Sequence, residues 1–490
     1  MKRPVPIFAA ALASFAGPAG AHSFGTIYNL PVPFWMYAYG AAAALVVSFV
    51  IVGYFVTATS VNAEARTYDP PSRAWLDAIT SPKVRAAARV TSVTLLLFTI
   101  VTGLVGSRSA MLNWNMTFFW ILFVLVFTYL TAFIGDVYAI VSPWRVICDW
   151  VERWRPGLLR GRFPYPTRLA YYPALVLYVA FIWIELFART QPWSLSWILI
   201  GYTIVNVAGA WLIGMEAWFR YGEFFAVFLR IVAKIAPFEV EAGRIVLRQP
   251  FMGLVKEPAE HASLLLFILF MLSSTAFDGV HDTLAWTQLF WRDIYPLLEP
   301  LAAGRAQPYL FLVDFYYYWQ WLSLALSPFF YLAIYLFFIS LVRLITSSSL
   351  SVRELALRFA YSLVPIAFVY NVTHYYTLIV SQGLSIVRIA SDPLGIGWDL
   401  FGTASWLSTP VLLDAGSIWH TQVWLILFGH IVSVYLAHVE AMRIFPKSRR
   451  AIASQLPMLV LMVIFTTLGL WILSLPIAGG NVVMPPVPRT

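Results

Sequence analysis

Long apolar blocks alternate with short polar stretches along the whole chain. The blocks lie near residues 33–58, 90–107, 116–141, 168–187, 195–218, 260–278, 317–342, 359–387, 419–442 and 455–475. Each is close to the roughly 20 residues that carry a helix across about 30 Å of hydrocarbon. Inside lipid a segment must satisfy its own backbone N–H and C=O groups, so each block is predicted as a helix. The expected fold is all-α, a polytopic membrane helix bundle with about ten transmembrane helices. Two further stretches, 143–154 and 223–238, mix aromatic and aliphatic residues with Arg or Lys, which suits helices lying in the headgroup plane. The first residues read differently. Lys2 and Arg3 precede an apolar run from Ile7 to Phe15, and Ala19-Gly20-Ala21 fits a small-residue cleavage site. Residues 1–21 are thus expected to be a cleaved signal peptide, with residues 22–490 forming a single transmembrane helical domain that starts at His22.

Composition removes the soluble alternatives. Hydrophobic residues make up 60% of the 490 and charged residues only 11%, where a soluble domain carries about 25% charged residues. The net charge of +9 is unevenly placed. Of the 32 Lys and Arg, 24 fall in the segments 60–89, 143–168, 219–258, 343–358 and 443–450, and six in the segments that alternate with them. Basic loops face the cytoplasm, so the mature N- and C-termini are expected on the outside. The charge therefore predicts a lipid bilayer as partner and no nucleic acid. Cys148 is the sole cysteine, which excludes an intrachain disulfide or a CxxC pair.

Ionisable residues within apolar blocks are costly and point to function. Glu185, Asp278, Asn371, His374 and His430 fall in or at the ends of predicted spans, with His281, Asp282 and Asp314 just outside. Asn371 and His374 are three apart and share a helix face. His430 is expected at a similar depth on the antiparallel neighbour. Two imidazoles with Asp278 or Asp314 would form a His/His/carboxylate set suited to Zn, Fe, Mn or Ni, and a metal-bound water there would be activated. The plainer alternative is that each histidine hydrogen-bonds a neighbouring helix. His374 and His430 also suit axial haem ligation. His22, once N-terminal, offers an amine and an imidazole to a metal such as Cu(II). Asp136, Glu216, Arg220, Glu223, His438 and Glu440 form a second expected cluster, towards the cytoplasm, with ion pairing or a proton path as its roles. The run Phe315-Tyr316-Tyr317-Tyr318-Trp319 suggests an aromatic pocket or an amphipathic entry segment, and 391–399 a Gly- and Asp-rich turn.

Several stretches resemble one family. They are Ala21-His22-Ser23-Phe24-Gly25, Gly135-Asp136-Val137-Tyr138, Arg220-Tyr221-Gly222-Glu223, Ser273 to Gly279, Leu363-Val364-Pro365 with His374-Tyr375, Gly429-His430 and Ala437-His438. Across nearly its whole length the chain is similar to bacterial integral membrane proteins known as fenitrothion hydrolases. The resemblance implies a bacterial inner-membrane enzyme that hydrolyses an apolar organophosphate triester. A divalent transition metal (Zn, Cu or Fe) would then be held by His374, His430 and Asp278, with Asp314 as base or fourth ligand and His374 also at the reacting centre. The other function expected is a metal-ion or small-solute transporter with an outward-facing His/Asp site.

Overall fold

The computed structural model describes residues 33–55, 67–68, 81–241, 244–406, 414–445 and 448–475. The expected signal peptide and His22 lie outside these residues. In chain order the first helices are α1 (Phe34–Phe55), α2 (Pro82–Val105), α3 (Trp114–Ile134), α4 (Pro143–Trp154), α5 (Tyr172–Phe187) and α6 (Pro192–Ile213). Two short helices, α7 (Met215–Tyr221) and α8 (Phe224–Ala233), precede an antiparallel hairpin of β1 (Phe238–Glu241) and β2 (Arg244–Leu247). Then come α9 (Ala262–His281), α10 (Pro308–Thr346), α11 (Val352–Ser391), α12 (Ala415–Ile444) and α13 (Ser448–Ser474). Among the described residues nine helices are long and apolar enough to cross a membrane. The tenth expected span, 168–187, is the shorter α5, of 16 residues. The protein is an all-α polytopic membrane helix bundle.

Helix ends follow local chemistry. Ser81 before Pro82 caps α2, Ser142 before Pro143 caps α4, and Asp414 accepts from the Ser417 N–H at the start of α12. Ser351 and Glu354 form a reciprocal capping box on α11. Amphipathic α4 behaves as its pattern predicts: Trp144, Val146 and Cys148 are buried, whereas Trp154 is exposed.

At the centre stands α9, apolar on all sides and buried along almost its whole length. It packs on α5, α10 and α11; α12 covers α11, and α1 and α13 close that side. On the other side α2 packs on α6. One end of the bundle gathers α4, α7, α8 and the hairpin and carries most of the Lys and Arg; we call it the arginine-rich end.

Two elements depart from the expected pattern. Residues 223–238 do not lie flat. After Gly214 (φ 90°) reverses the chain, α7 runs back along α6, with the Trp218 indole donating to Asn206 at 2.8 Å. α8 then returns towards the arginine-rich end, where Arg230 donates to the Arg220 carbonyl at 2.5 Å. At the apex Phe224 stacks on Tyr178 of α5 and Phe225 meets Phe123 of α3, with ring centroids 5.6 and 5.0 Å apart. This is a re-entrant hairpin, tolerated at depth because protein rather than lipid surrounds it. The second departure is α10, whose 39 residues reach about 58 Å. Its N-terminal turns outrun any bilayer and, with Phe290, Trp291 and Tyr295, bury Leu312 and Tyr316 in a separate small core. Of the aromatic run at 315–319, Phe315, Tyr316 and Trp319 join that core, whereas Tyr318 is exposed.

Candidate functional site: a buried carboxyl–phenol–imidazole chain

Three helices converge in the half of the bundle away from the arginine-rich end. α9 supplies Asp278 in its last turn, α11 supplies His374 and Tyr375, and α5 supplies Glu185. Asp278 is 4% exposed. Its Oδ2 receives the Tyr375 hydroxyl at 2.6 Å and lies 2.8 Å from His374 Nε2. The same hydroxyl is 3.0 Å from Glu185 Oε1. The order is thus Glu185–Tyr375–Asp278–His374, with every link at hydrogen-bond length.

The phenol imposes an arithmetic on this chain. A hydroxyl has one hydrogen and two lone pairs. It cannot donate to both carboxyls at once. Both contacts are hydrogen bonds when one carboxyl accepts from the phenol and the other, carrying a proton, donates to the phenol oxygen. The geometry therefore joins two carboxyls and an imidazole through three links, each of which needs one hydrogen.

Beside the chain, two residues at the end of α9 lead to the bundle's end without a hydrogen bond to the Asp278 carboxyl. His281 Nδ1 is 2.8 Å from the Asp278 carbonyl and 3.9 Å from Asp278 Oδ1. His281 Nε2 is 3.3 Å from Asp282, whose side chain is 46% exposed. On the other flank the Tyr129 hydroxyl of α3 donates to Asn371 Oδ1 at 3.0 Å, which fixes the helix that carries His374.

The expected metal set is not assembled. α11 and α12 are antiparallel, and their register is read from three contacts. Tyr376 donates to the Ile418 carbonyl and Gln422 to the Thr373 carbonyl, both at 3.1 Å. Gly429 presses so close that a Cβ there would come within 2.1 Å of Val369. His430, beside Gly429, therefore lies about 8–13 Å nearer the arginine-rich end than His374. Its Nδ1 faces the Ile426 carbonyl at 2.8 Å. Asp314 is exposed on α10, on the face opposite buried Leu312, Tyr316 and Gln320. Among the described residues no group of three or more His, Cys, Asp or Glu is placed to hold a metal ion. Of the expected ligands among the described residues, only Asp278 and His374 meet.

The second expected cluster also divides. Arg145 pairs with Glu216 at 2.7 Å, Arg220 with Glu260 at 3.2 Å and Arg358 with Glu440 at 3.3 Å. His438 Nδ1 contacts Gln455 at 2.9 Å. Glu223 stands apart from all of these at the re-entrant apex. The loop after α11 is a structural turn: Asp392 accepts from the Ile396 and Gly397 amides, Asp399 from the Ser391 hydroxyl and the Ala404 amide.

Tyr375, the centre of the chain, has no role in the sequence reading. Its one signal is its place next to His374, hidden among 25 tyrosines. Comparison of the chain with protein-family models, curated proteins and solved structures returns no match.

Proposed function

We propose that this protein is a proton-coupled membrane transporter, with the Glu185–Tyr375–Asp278–His374 chain as its protonatable core. The observation that carries the reading is the unbroken sequence of contacts at 3.0, 2.6 and 2.8 Å inside the bundle. Chains of Asp, Glu and His within spans serve as proton relays in pumps and transporters. Here a proton on Glu185 moves to the phenol oxygen as the phenol hydrogen moves to Asp278 Oδ2, and His374, which donates its Nε2–H to the ionised Asp278, is released as that carboxyl is neutralised. Each transfer exchanges one O–H bond for another and leaves no charge unbalanced. His281 and Asp282 link Asp278 to the end of the bundle away from the arginine-rich end. By the positive-inside rule the arginine-rich end faces the cytoplasm, so this chain opens outward in a bacterial inner membrane.

The test uses purified protein in sealed liposomes loaded with a pH-sensitive dye. Under an imposed pH gradient and a membrane potential, the lumen should acidify faster than in protein-free vesicles. Asp278→Asn and His374→Ala should return the rate to that background. Wild-type vesicles no faster than empty ones would end the reading.

One observation favours a second reading. The Asp278–His374 contact is how a buried carboxylate orients an imidazole as general base. That suits the hydrolysis implied by the resemblance, with His374 taking a proton from the water that attacks phosphorus. Detergent-solubilised protein would then release a nitrophenol from fenitrothion, and His374→Ala would abolish the release. Turnover without a sealed vesicle separates this reading from the first.

A further inference from the structure

The proton chain above ends at Glu185, on α5. One turn towards the arginine-rich end, Phe181 packs on Phe224 of the re-entrant hairpin with centroids 4.9 Å apart. Immediately before Phe224 stands Glu223, 0% exposed. It caps α8, accepting from the Phe225 and Ala226 amides at 3.1 and 2.6 Å. Tyr202 of α6 donates its hydroxyl to the same carboxyl. Capping alone explains why a polar residue stands there, but it does not require a glutamate. Ser, Thr, Asp or Asn caps a helix at least as well, and an ionisable group at this depth is costly.

A second observation is independent of the cap. Beneath the apex lies a pocket of about 50 Å³ lined by Asp136, Tyr138, Ala139, Ser142, Arg145, Phe219, Ala226 and Arg230. Asp136 and Ala139 are exposed at its mouth. Tyr138 lines it while being 1% exposed, and its hydroxyl faces Glu223 and Ser142 beyond ordinary hydrogen-bond length. That hydroxyl neighbours Glu223. Ala226, which lines the same pocket, gives its amide to Glu223. A polar pocket of this size admits water, and a buried hydroxyl whose neighbours stand beyond hydrogen-bond length is the group that such water would serve.

We propose that Glu223 is a second proton-binding station, loaded from the arginine-rich end through the Asp136/Arg145/Arg230 pocket and Tyr138. This rests on the proton-coupled reading above and adds its inner half. The Phe181/Phe224 contact is the apolar barrier between the two stations, and the re-entrant hairpin carries one side of that barrier. The ionisable groups around Glu223 are Tyr202 from α6, Tyr138, and the pocket's Asp136, Arg145 and Arg230. Arg145 is held by Glu216 and Arg230 by the Arg220 carbonyl, so both guanidiniums flank the entrance without neutralising Glu223.

The same dye-loaded liposomes test this, with full-length wild type, Glu223→Gln, Glu223→Asp and Asp278→Asn. Glu223→Gln keeps an oxygen for the Phe225 amide and for Tyr202 but turns an NH2 to the Ala226 amide, so it removes the exchangeable proton at the cost of one cap hydrogen bond, and its melting temperature is measured beside its flux. It should slow lumen acidification by about a hundredfold, and Glu223→Asp, which retains a carboxyl, should recover most of the rate. Glu223→Gln at the wild-type rate, with Asp278→Asn inactive, overturns the second station and leaves the first. Both variants at the wild-type rate, or no flux in the wild type, overturns both. A further measurement does not depend on removing Glu223. Ala226→Cys, in the otherwise wild-type chain, should react with a membrane-impermeant cationic methanethiosulfonate from the arginine-rich side of oriented vesicles only. Reaction from the opposite side, or from neither, sinks the entry route.

Discussion

The Tyr375 hydroxyl is one oxygen held by two carboxyls from two different helices, and Tyr375→Phe removes it alone. The ring stays, so packing is conserved. Two carboxyls then lose their common partner, at a cost of about 1–3 kcal/mol for each polar group left unsatisfied. We expect a lower melting temperature in detergent and a fall of about a hundredfold in proton flux. A variant that melts lower but keeps its flux would make Tyr375 a structural clasp. Cys148 offers a contrasting residue. It is 0% exposed on the inner face of α4, and burial pushes its thiol up to about 12. The thiolate is the reactive form, so the native protein should take up no maleimide at neutral pH and one equivalent once denatured. Labelling of the folded protein would show that α4 detaches from the bundle.

At the scale of elements, the re-entrant hairpin depends on Trp218 filling a space that glycines leave open. A Cβ at Gly209 would lie 2.4 Å from the Trp218 ring, and one at Gly222 2.5 Å from it. Gly209→Val should therefore push α7 off α6, expose the apex and lower the melting temperature by several degrees, about 1–3 kcal/mol of overpacking. An unchanged melting curve would mean that the hairpin is held elsewhere. The loop after α11 makes a separate prediction. The Ala404 amide and the Ser391 hydroxyl hold the Asp399 carboxyl below the usual carboxylate range. A carboxyl lowered on folding stabilises the loop above its unfolded value and loses that contribution as pH falls through its folded value. Amide exchange over 391–406 should therefore accelerate below about pH 4, and Asp399→Asn should flatten that dependence.

These elements also show what was legible in the sequence. The spans were, because lipid demands long uninterrupted apolar runs. So were Asp278 and His374, because charge at depth stands out against such runs. The hairpin was not. Arg230 and Lys234 beside Phe and Ile read as an interfacial helix, and its depth is set by Trp218 meeting Asn206 and Gly209, partners on another helix. The His374–His430 pairing failed for a related reason. Depth inferred from the ends of apolar runs ignores register, and Gly429 lets α12 sit on α11 with His430 well below His374. Tyr375 was invisible because a phenol within an apolar run carries no charge that sets it apart from the other aromatic residues there.

For the whole molecule the decisive question is which way the two polar stations face. Glu185, Asp278, His374, His281 and Asp282 occupy one half of the bundle, and Glu223 with its pocket the other. Between Glu185 and Glu223, Phe181 packs on Phe224. The separation sets the rate of proton flux, because a proton passes from one station to the other only when the barrier moves, whereas a continuous chain would short-circuit the membrane. The direction of coupling then follows from orientation. The arginine-rich end carries Arg145, Arg153, Arg160, Arg220 and Arg230, and the opposite end extends into the α10 arm and its small aromatic core. On the orientation proposed above, with positive loops retained in the cytoplasm of a bacterium, the arm lies outside and the Asp282 mouth is on the side where respiring bacteria hold the higher proton concentration. Two exposed positions read this out in intact cells, since Cys148 is buried. Arg305→Cys, at the base of the arm, should react with an impermeant maleimide. Ser349→Cys, between α10 and α11 at the arginine-rich end, should react only after permeabilisation. The reverse pattern would invert the bundle, turn the Asp278 chain towards the cytoplasm and make Glu223 the outward station, so that an inward proton gradient would load the re-entrant hairpin first.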